Sequence, residues 1–123
     1  MNGDIPEMVK ILENPIFMTP YEDEFPLSQE SVNAVLEVLR GASASEAEGR
    51  VYPDGCGGVE VAWRLNGKVV ILASRKKRLE GVDTWLYQAD IEKGDGEYFI
   101  YRPATSEKLD ELLDWILEDK EPK

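Results

Sequence analysis

Carboxylates are the most abundant side chains in this sequence that could do chemistry. The chain has 123 residues, of which 25 are Asp or Glu and 14 are Lys or Arg, and it contains no His. Without an imidazole, the Ser–His and Cys–His pairs of many nucleophilic enzymes cannot form, and histidine cannot serve as a metal ligand. Pairs of carboxylates could still act as acid and base, or hold a hard cation, if the fold brought them together.

One glycine-containing turn is flanked by four acidic residues, Asp90, Glu92, Asp95 and Glu97. Such a group could gather a cation such as Ca²⁺, which prefers oxygen ligands. The spacing does not match an EF-hand loop, and acidic residues around a turn are usually solvated. We therefore predict no metal site and no cofactor.

The glycine-rich run 54–58 is a second candidate, because its backbone N–H groups could cradle an anion. It leads into a predicted strand, whereas nucleotide-binding loops lead into a helix, and no Lys–Ser/Thr pair follows it. Glycines that a turn with positive φ requires explain the run equally well. Cys56 has no histidine to activate it. We predict no catalytic residue and no enzyme activity, and leave open whether the loop binds an anion.

The last part of the chain combines an apolar stripe with rows of like charge. Helical spacing places Leu109, Leu112 and Leu113 on one side of a helix that begins after Thr105 or Ser106. Acidic residues four positions apart, such as Asp110 and Asp114, repel each other on the other side. This side is either a solvated face or a surface that attracts a basic partner. The predicted partner-binding residues are Glu107, Asp110, Glu111, Asp114, Trp115 and Glu118.

Two helices are predicted near the start of the chain. Asp4 and Pro6 are suited to begin the first. Ser28 is a good N-cap for a second helix over 29–40, and Gly41 is expected to end it in the left-handed conformation.

The clearest local signal is a β-hairpin around Asn66-Gly67, the preferred dipeptide for a two-residue type I′ turn. The turn pairs Trp63 with Val70 and Val61 with Leu72, which defines a core face. The opposite face carries Ala62, Val69, Ile71 and Ala73. Because this face is also apolar, we expect a helix or another chain to cover it.

Further strands are predicted over 84–93 and 98–102, with a short edge strand over 50–52. The sequence therefore predicts a single acidic α+β domain over 1–123. Its antiparallel sheet has four to five strands, with two N-terminal helices and one C-terminal helix packed on it.

The formal net charge of -11 argues against direct binding to nucleic acid phosphates and against an anionic membrane surface. The one basic run, 75–78, is expected to protect a sheet edge. No signal peptide or membrane-spanning segment is expected, and a single cysteine fits a reducing compartment. We predict a cytoplasmic protein.

The run Pro53-Asp-Gly-Cys-Gly-Gly-Val-Glu-Val-Ala-Trp63 resembles a hairpin of the type P-D-G-G-I-x-L-E-W in small uncharacterised bacterial proteins. Cys56 is an insertion relative to that pattern, and Ala62 stands where Glu is often found. The resemblance covers only the hairpin, implies a bacterial or phage source, and supplies no activity and no functional residue.

Three functional hypotheses follow. The first is a non-enzymatic acidic regulatory protein that binds a basic protein, as an inhibitor, antitoxin-like or phage anti-defence protein. The second is a homodimeric scaffold that buries Val69, Ile71 and Ala73 across a two-fold axis. The third is a small-molecule binder, or a carboxylate-based enzyme, whose pocket is lined by Trp63, Trp85, Tyr87, Tyr98 and Tyr101.

Overall fold

The computed structural model describes residues 2–13, 28–43, 45, 47–53, 57–77, 80–94 and 96–118. The strands are β1 Asn2–Gly3, β2 Gly49–Pro53, β3 Val59–Leu65, β4 Lys68–Lys76, β5 Val82–Asp90 and β6 Tyr98–Tyr101. The helices are α1 Ile5–Glu13, α2 Gln29–Gly41 and α3 Ser106–Leu117, with a 3₁₀ turn at Ile91–Lys93.

All the strands form one antiparallel sheet in which each pairs with the next along the chain. The predicted α+β architecture is confirmed, with two helices before the main strands and one after them. A two-residue strand, β1, extends the sheet beyond the predicted strands. It pairs with β2, so the strand expected over 50–52 is not at the edge.

The central hairpin has the predicted turn and register. Asn66 and Gly67 have φ of 54° and 71°, as a type I′ turn requires. Trp63 pairs with Val70 and Val61 with Leu72, and all four side chains are fully buried. The prediction of a core face is therefore confirmed.

Each helix begins at a side-chain cap that the sequence indicates. The Ser28 hydroxyl accepts a hydrogen bond from the N–H of Ser31 at 3.3 Å, and the Thr105 hydroxyl accepts one from the N–H of Lys108 at 3.2 Å. At α1, the Asp4 carboxylate accepts from the N–H of Glu7 at 3.0 Å. These bonds satisfy donors that the first helical turn leaves free.

The prediction for Gly41 is wrong in its mechanism. Gly41 is the last residue of α2, and the cap is Ala42, in an extended conformation with φ -80°. A Cβ at this position would collide with the Ser106 hydroxyl, which would then have to leave its place. That hydroxyl donates to the carbonyl of Val38 at 2.8 Å, so the glycine permits the close approach of α3 to α2.

The strand predicted over 84–93 is displaced. β5 starts at Val82 and ends at Asp90, and Ile91 belongs to the 3₁₀ turn, where it is 60% exposed. The N–H of Ile91 donates to the carbonyl of Gly67 at 2.8 Å, which turns the chain over the hairpin end. β6 ends one residue before the predicted 102.

In the basic run 75–78, Arg75 and Lys76 end β4 beyond its pairing with β3 and pair only with β5, while Arg78 lies outside the described residues. Lys76 faces Glu30 of α2 at 3.6 Å. Protection of a sheet edge by this run stays a prediction.

The three helices pack on one face of the sheet. Their buried residues form a single core with Val61, Trp63, Val70 and Leu72. The opposite side, which we call the helix-free face because none of the described helices packs on it, carries Ala62, Val69 and Ala73. These three are 1% to 6% exposed, yet they lie outside that core. Within the described residues, no helix is both long and apolar enough to cross a membrane.

Candidate functional site

Helix α3 presents an acidic face that consists of Glu107, Glu111, Asp114 and Glu118, all exposed. Its opposite side buries Leu109, Leu112, Leu113 and Ile116 at 2% exposure or less, as the apolar stripe predicts. Because this stripe packs the helix on the core, the carboxylates project from the opposite side toward solvent.

Few cations neutralise this acidic face. Lys108 forms an ion pair with Glu111 at 3.2 Å, and its ammonium group also lies 4.2 Å from the centre of the Tyr101 ring. Within the described part of the chain, Glu107, Asp114 and Glu118 have no ion-pair partner. The face therefore keeps a negative field toward solvent.

Asp110 has a different position from the other predicted partner-binding residues. Its carboxylate accepts hydrogen bonds from the N–H of Ser43 at 2.7 Å and from the Ser43 hydroxyl at 3.1 Å. It thereby joins α3 to the segment that follows α2, and the carboxylate is engaged in hydrogen bonds within the molecule.

Trp115 lies half-buried at the end of α3, packed against the core. The Lys68 ammonium group lies 4.9 Å from the centre of its ring. The same group donates to the carbonyl of Trp115 at 2.7 Å and to that of Glu118 at 3.0 Å. A cation at the C-terminal end of a helix stabilises the helix dipole, so Lys68 offsets the unfavourable position of Glu118.

Sequence reasoning missed Lys68. The side chain is 5% exposed and lies on the helix side of the hairpin, opposite Leu65. The hairpin register predicted from the sequence already places Lys68 on the core face. Because a buried ammonium group requires hydrogen-bond acceptors, this position could have been recognised.

The five aromatic residues proposed as one pocket lie on both sides of the sheet. Trp63 is fully buried in the helix-side core, and Tyr101 packs against that core. Tyr87 and Tyr98 stack on the helix-free face with ring centres 5.5 Å apart. On the same face, Arg102 lies over the Trp85 ring at 5.0 Å. These five side chains therefore do not line a common pocket.

The helix-free face has a different charge from α3. Its strand positions carry Arg50, Arg64 and Arg75 against Glu60 and Asp83. At the end where β2 begins and β3 ends, a depression of about 710 Å³ includes Arg50, Tyr52, Ala62 and Arg64 in its wall. This end of the sheet was not singled out from the sequence.

The remaining predicted sites lie partly outside the described residues. In the glycine-rich run, residues 54–56 are outside, while Gly57 has a positive φ of 92° and its carbonyl accepts from the N–H of Ser28 at 2.9 Å. In the acidic turn, Asp95 is outside. No group of three or more metal-ligating side chains occurs among the residues that are described.

No protein-family model matches the chain, and no curated protein or solved structure matches it significantly.

Proposed function

We propose that this chain is a non-enzymatic interaction protein that binds a basic protein partner through the acidic face of α3, with Trp115 at the border of the contact. The single observation that supports this is the exposed row of carboxylates on a firmly packed helix, of which only Glu111 has an ion-pair partner among the described residues. An inhibitor, an antitoxin-like protein and a phage anti-defence protein would each use such a surface.

The acidic face lowers the stability of its own helix. Like charges four residues apart weaken a helix by about 0.2–0.5 kcal/mol per pair. The pair formed by Glu107 and Glu111 follows this spacing, and so does the pair formed by Asp114 and Glu118. A basic partner would relieve this repulsion, and the field of the carboxylates would raise the association rate.

The test compares two variants with the same change in charge. The first combines Glu107→Gln, Glu111→Gln and Asp114→Asn and keeps Asp110, because Asp110 bonds to Ser43. The control combines Glu7→Gln, Glu37→Gln and Glu80→Gln, three exposed positions that do not belong to α3.

A basic protein that is captured from bacterial lysate at low salt and released at high salt serves as the ligand for affinity measurement. We expect the α3 variant to bind about tenfold more weakly, since each exposed ion pair contributes about 0.2–1 kcal/mol. The control should bind within about twofold of the unmodified protein at equal ionic strength. Equal losses in both variants would show that only net charge matters and would contradict the proposal.

The helix-free face supports a second candidate function, a homodimeric scaffold. Of the residues predicted to be buried across the two-fold axis, Val69 and Ala73 are already 4% and 1% exposed in the single chain, and only Ile71 is half-buried. On the same face, Ile100 and Tyr98 of β6 are 43% and 57% exposed. Burying such apolar groups between two copies would stabilise a dimer. Because each copy carries a net charge of -11, salt should strengthen this dimer, whereas it should weaken binding of a basic partner.

Sedimentation equilibrium over a range of protein concentrations and two salt concentrations tests the dimer. We expect association that Ile71→Lys abolishes. A monomer under every condition would rule out the scaffold hypothesis and leave the first proposal unaffected.

A further inference from the structure

The depression at the end where β2 begins and β3 ends has two arginine side chains in its wall, Arg50 and Arg64. Arg50 lies opposite Ala62 in the register, and Arg64 follows two residues later on the same face. In an antiparallel pair, such diagonal positions are about 7–8 Å apart at Cα, which long side chains bridge easily. Both guanidinium groups can therefore reach one ligand above the small Ala62 side chain.

No counter-ion pairs with either arginine among the residues that the structure describes. Within the described residues, neither Arg50 nor Arg64 makes an ion pair or a side-chain hydrogen bond, and both are exposed. The chain has 25 acidic residues against 14 basic ones, so carboxylates are plentiful. Arg40 and Arg102, by comparison, pair with Glu13 at 2.6 Å and Asp83 at 3.2 Å. Two adjacent unpaired guanidinium groups form a site for a planar or tetrahedral oxyanion.

The rest of the wall is suited to an apolar group. Tyr52 and Leu65 contribute ring and aliphatic surface, and Ala62 leaves space. Gly49, also in the wall, lies against the indole of the buried Trp63, whose N–H has no acceptor among the described residues. Glu48 is the carboxylate in the described part of the wall and disfavours a second anionic group in the ligand. A volume of about 710 Å³ lies within the usual range for small-molecule sites.

We propose that this depression binds a small organic anion, whose carboxylate or phosphate group lies between Arg50 and Arg64 and whose apolar part lies against Ala62 and Tyr52. The net charge of -11 disfavours a polyanion such as nucleic acid at the same place. The site is separate from the acidic face of α3 and does not depend on the function proposed for that face.

The test uses ¹⁵N-labelled protein titrated with benzoate, phenyl phosphate and the neutral isostere benzamide. We expect benzoate or phenyl phosphate to cause saturable shifts of the backbone amides of Gly49, Arg50, Tyr52, Ala62 and Arg64, with a dissociation constant in the millimolar range or below. Benzamide should cause none. A preference for benzoate identifies a carboxylate ligand, and a preference for phenyl phosphate identifies a phosphate ligand.

Arg50→Gln and Arg64→Gln should each weaken binding by about tenfold or more, because each removes a charge-assisted hydrogen bond. The matched control Arg40→Gln removes the same charge from α2 and should leave the titration unchanged. Unchanged cross-peak dispersion in the variants would show that they are folded. Absence of saturable shifts with either anion, or equal weakening by Arg40→Gln, would overturn the proposal. Neither result changes the affinity expected for a basic partner at the acidic face of α3, so failure of this proposal is distinguishable from failure of the proposed function.

Discussion

The ammonium group of Lys68 lies 2.7 Å from the carbonyl oxygen of Trp115, so the first residue of β4 closes the C-terminal end of α3. Asn66, in the adjoining turn, donates to the carbonyls of Ile116 at 3.1 Å and Glu118 at 3.3 Å. The last turn of a helix has carbonyls without intrahelical donors, and here the hairpin supplies those donors. The helix that presents the acidic face is therefore fixed by the sheet.

Replacing Lys68 with methionine should reduce the free energy of unfolding by about 2 kcal/mol, because charge-assisted hydrogen bonds to buried carbonyls are lost. Methionine keeps the apolar stem, so the packing against Trp115 is preserved. Urea denaturation followed by circular dichroism measures the change. Lys10→Met, at an exposed position of α1, is the control and should change stability by less than about 0.5 kcal/mol. Equal stability of the two variants would contradict the capping role of Lys68.

The Asn66 side chain has a second role besides its turn conformation. Asn66→Asp keeps a residue that accepts a type I′ turn but replaces an amide donor with a carboxylate beside two carbonyl oxygens. We expect a loss of about 1–2 kcal/mol in unfolding free energy. Asn66→Gly should cost less, because it removes the donor without adding a charge. If both variants are as stable as the unmodified protein, the contacts to α3 contribute nothing.

Gly49 is predicted to be intolerant of any side chain. A Cβ there would lie 2.7 Å from the Met8 sulfur and 2.7 Å from the indole nitrogen of Trp63. Gly49→Ala should therefore destabilise the fold by about 1–3 kcal/mol through overpacking, measured by thermal or urea denaturation.

A double-mutant cycle with Met8→Ala checks the cause of this loss. Removing the sulfur makes room for the new methyl group, so the combined loss should be smaller than the sum of the two single losses by about 0.5 kcal/mol or more. If the two single losses add strictly, crowding against the Met8 sulfur is not the cause of the destabilisation.

Asp110 and Asp114 lie four residues apart on α3 and should behave differently. Asp110→Ala removes the acceptor for Ser43 and should lower the free energy of unfolding by about 1 kcal/mol. Asp114 is exposed and has no partner in the described structure, so Asp114→Ala should stay within about 0.5 kcal/mol. Chemical denaturation of the two variants side by side provides the measurement. A larger loss of unfolding free energy for Asp114→Ala than for Asp110→Ala would contradict the structural role given to Asp110.

Short-range patterns in the sequence determined much of the architecture. The Asn66-Gly67 turn sets the register of β3 and β4, the caps at Ser28 and Thr105 begin α2 and α3, and the leucine stripe marks the buried side of α3. Each of these depends on residues a few positions apart, whose geometry a helix or hairpin imposes locally. The acidic face of α3 follows from the same periodicity.

Contacts between distant segments could be decided only by the tertiary structure. Asp110 meets Ser43 across 67 residues of sequence, and the role of Gly41 depends on where Ser106 arrives. The alternation of the hairpin defines two apolar faces but does not say which one the helices cover. Arg50 and Arg64 were ordinary positive charges in the sequence. They became a candidate anion site only because pairing of β2 with β3 places them on one face, where no described carboxylate reaches them. Local periodicity assigns a residue to a face, whereas its partners depend on how separate elements pack in three dimensions.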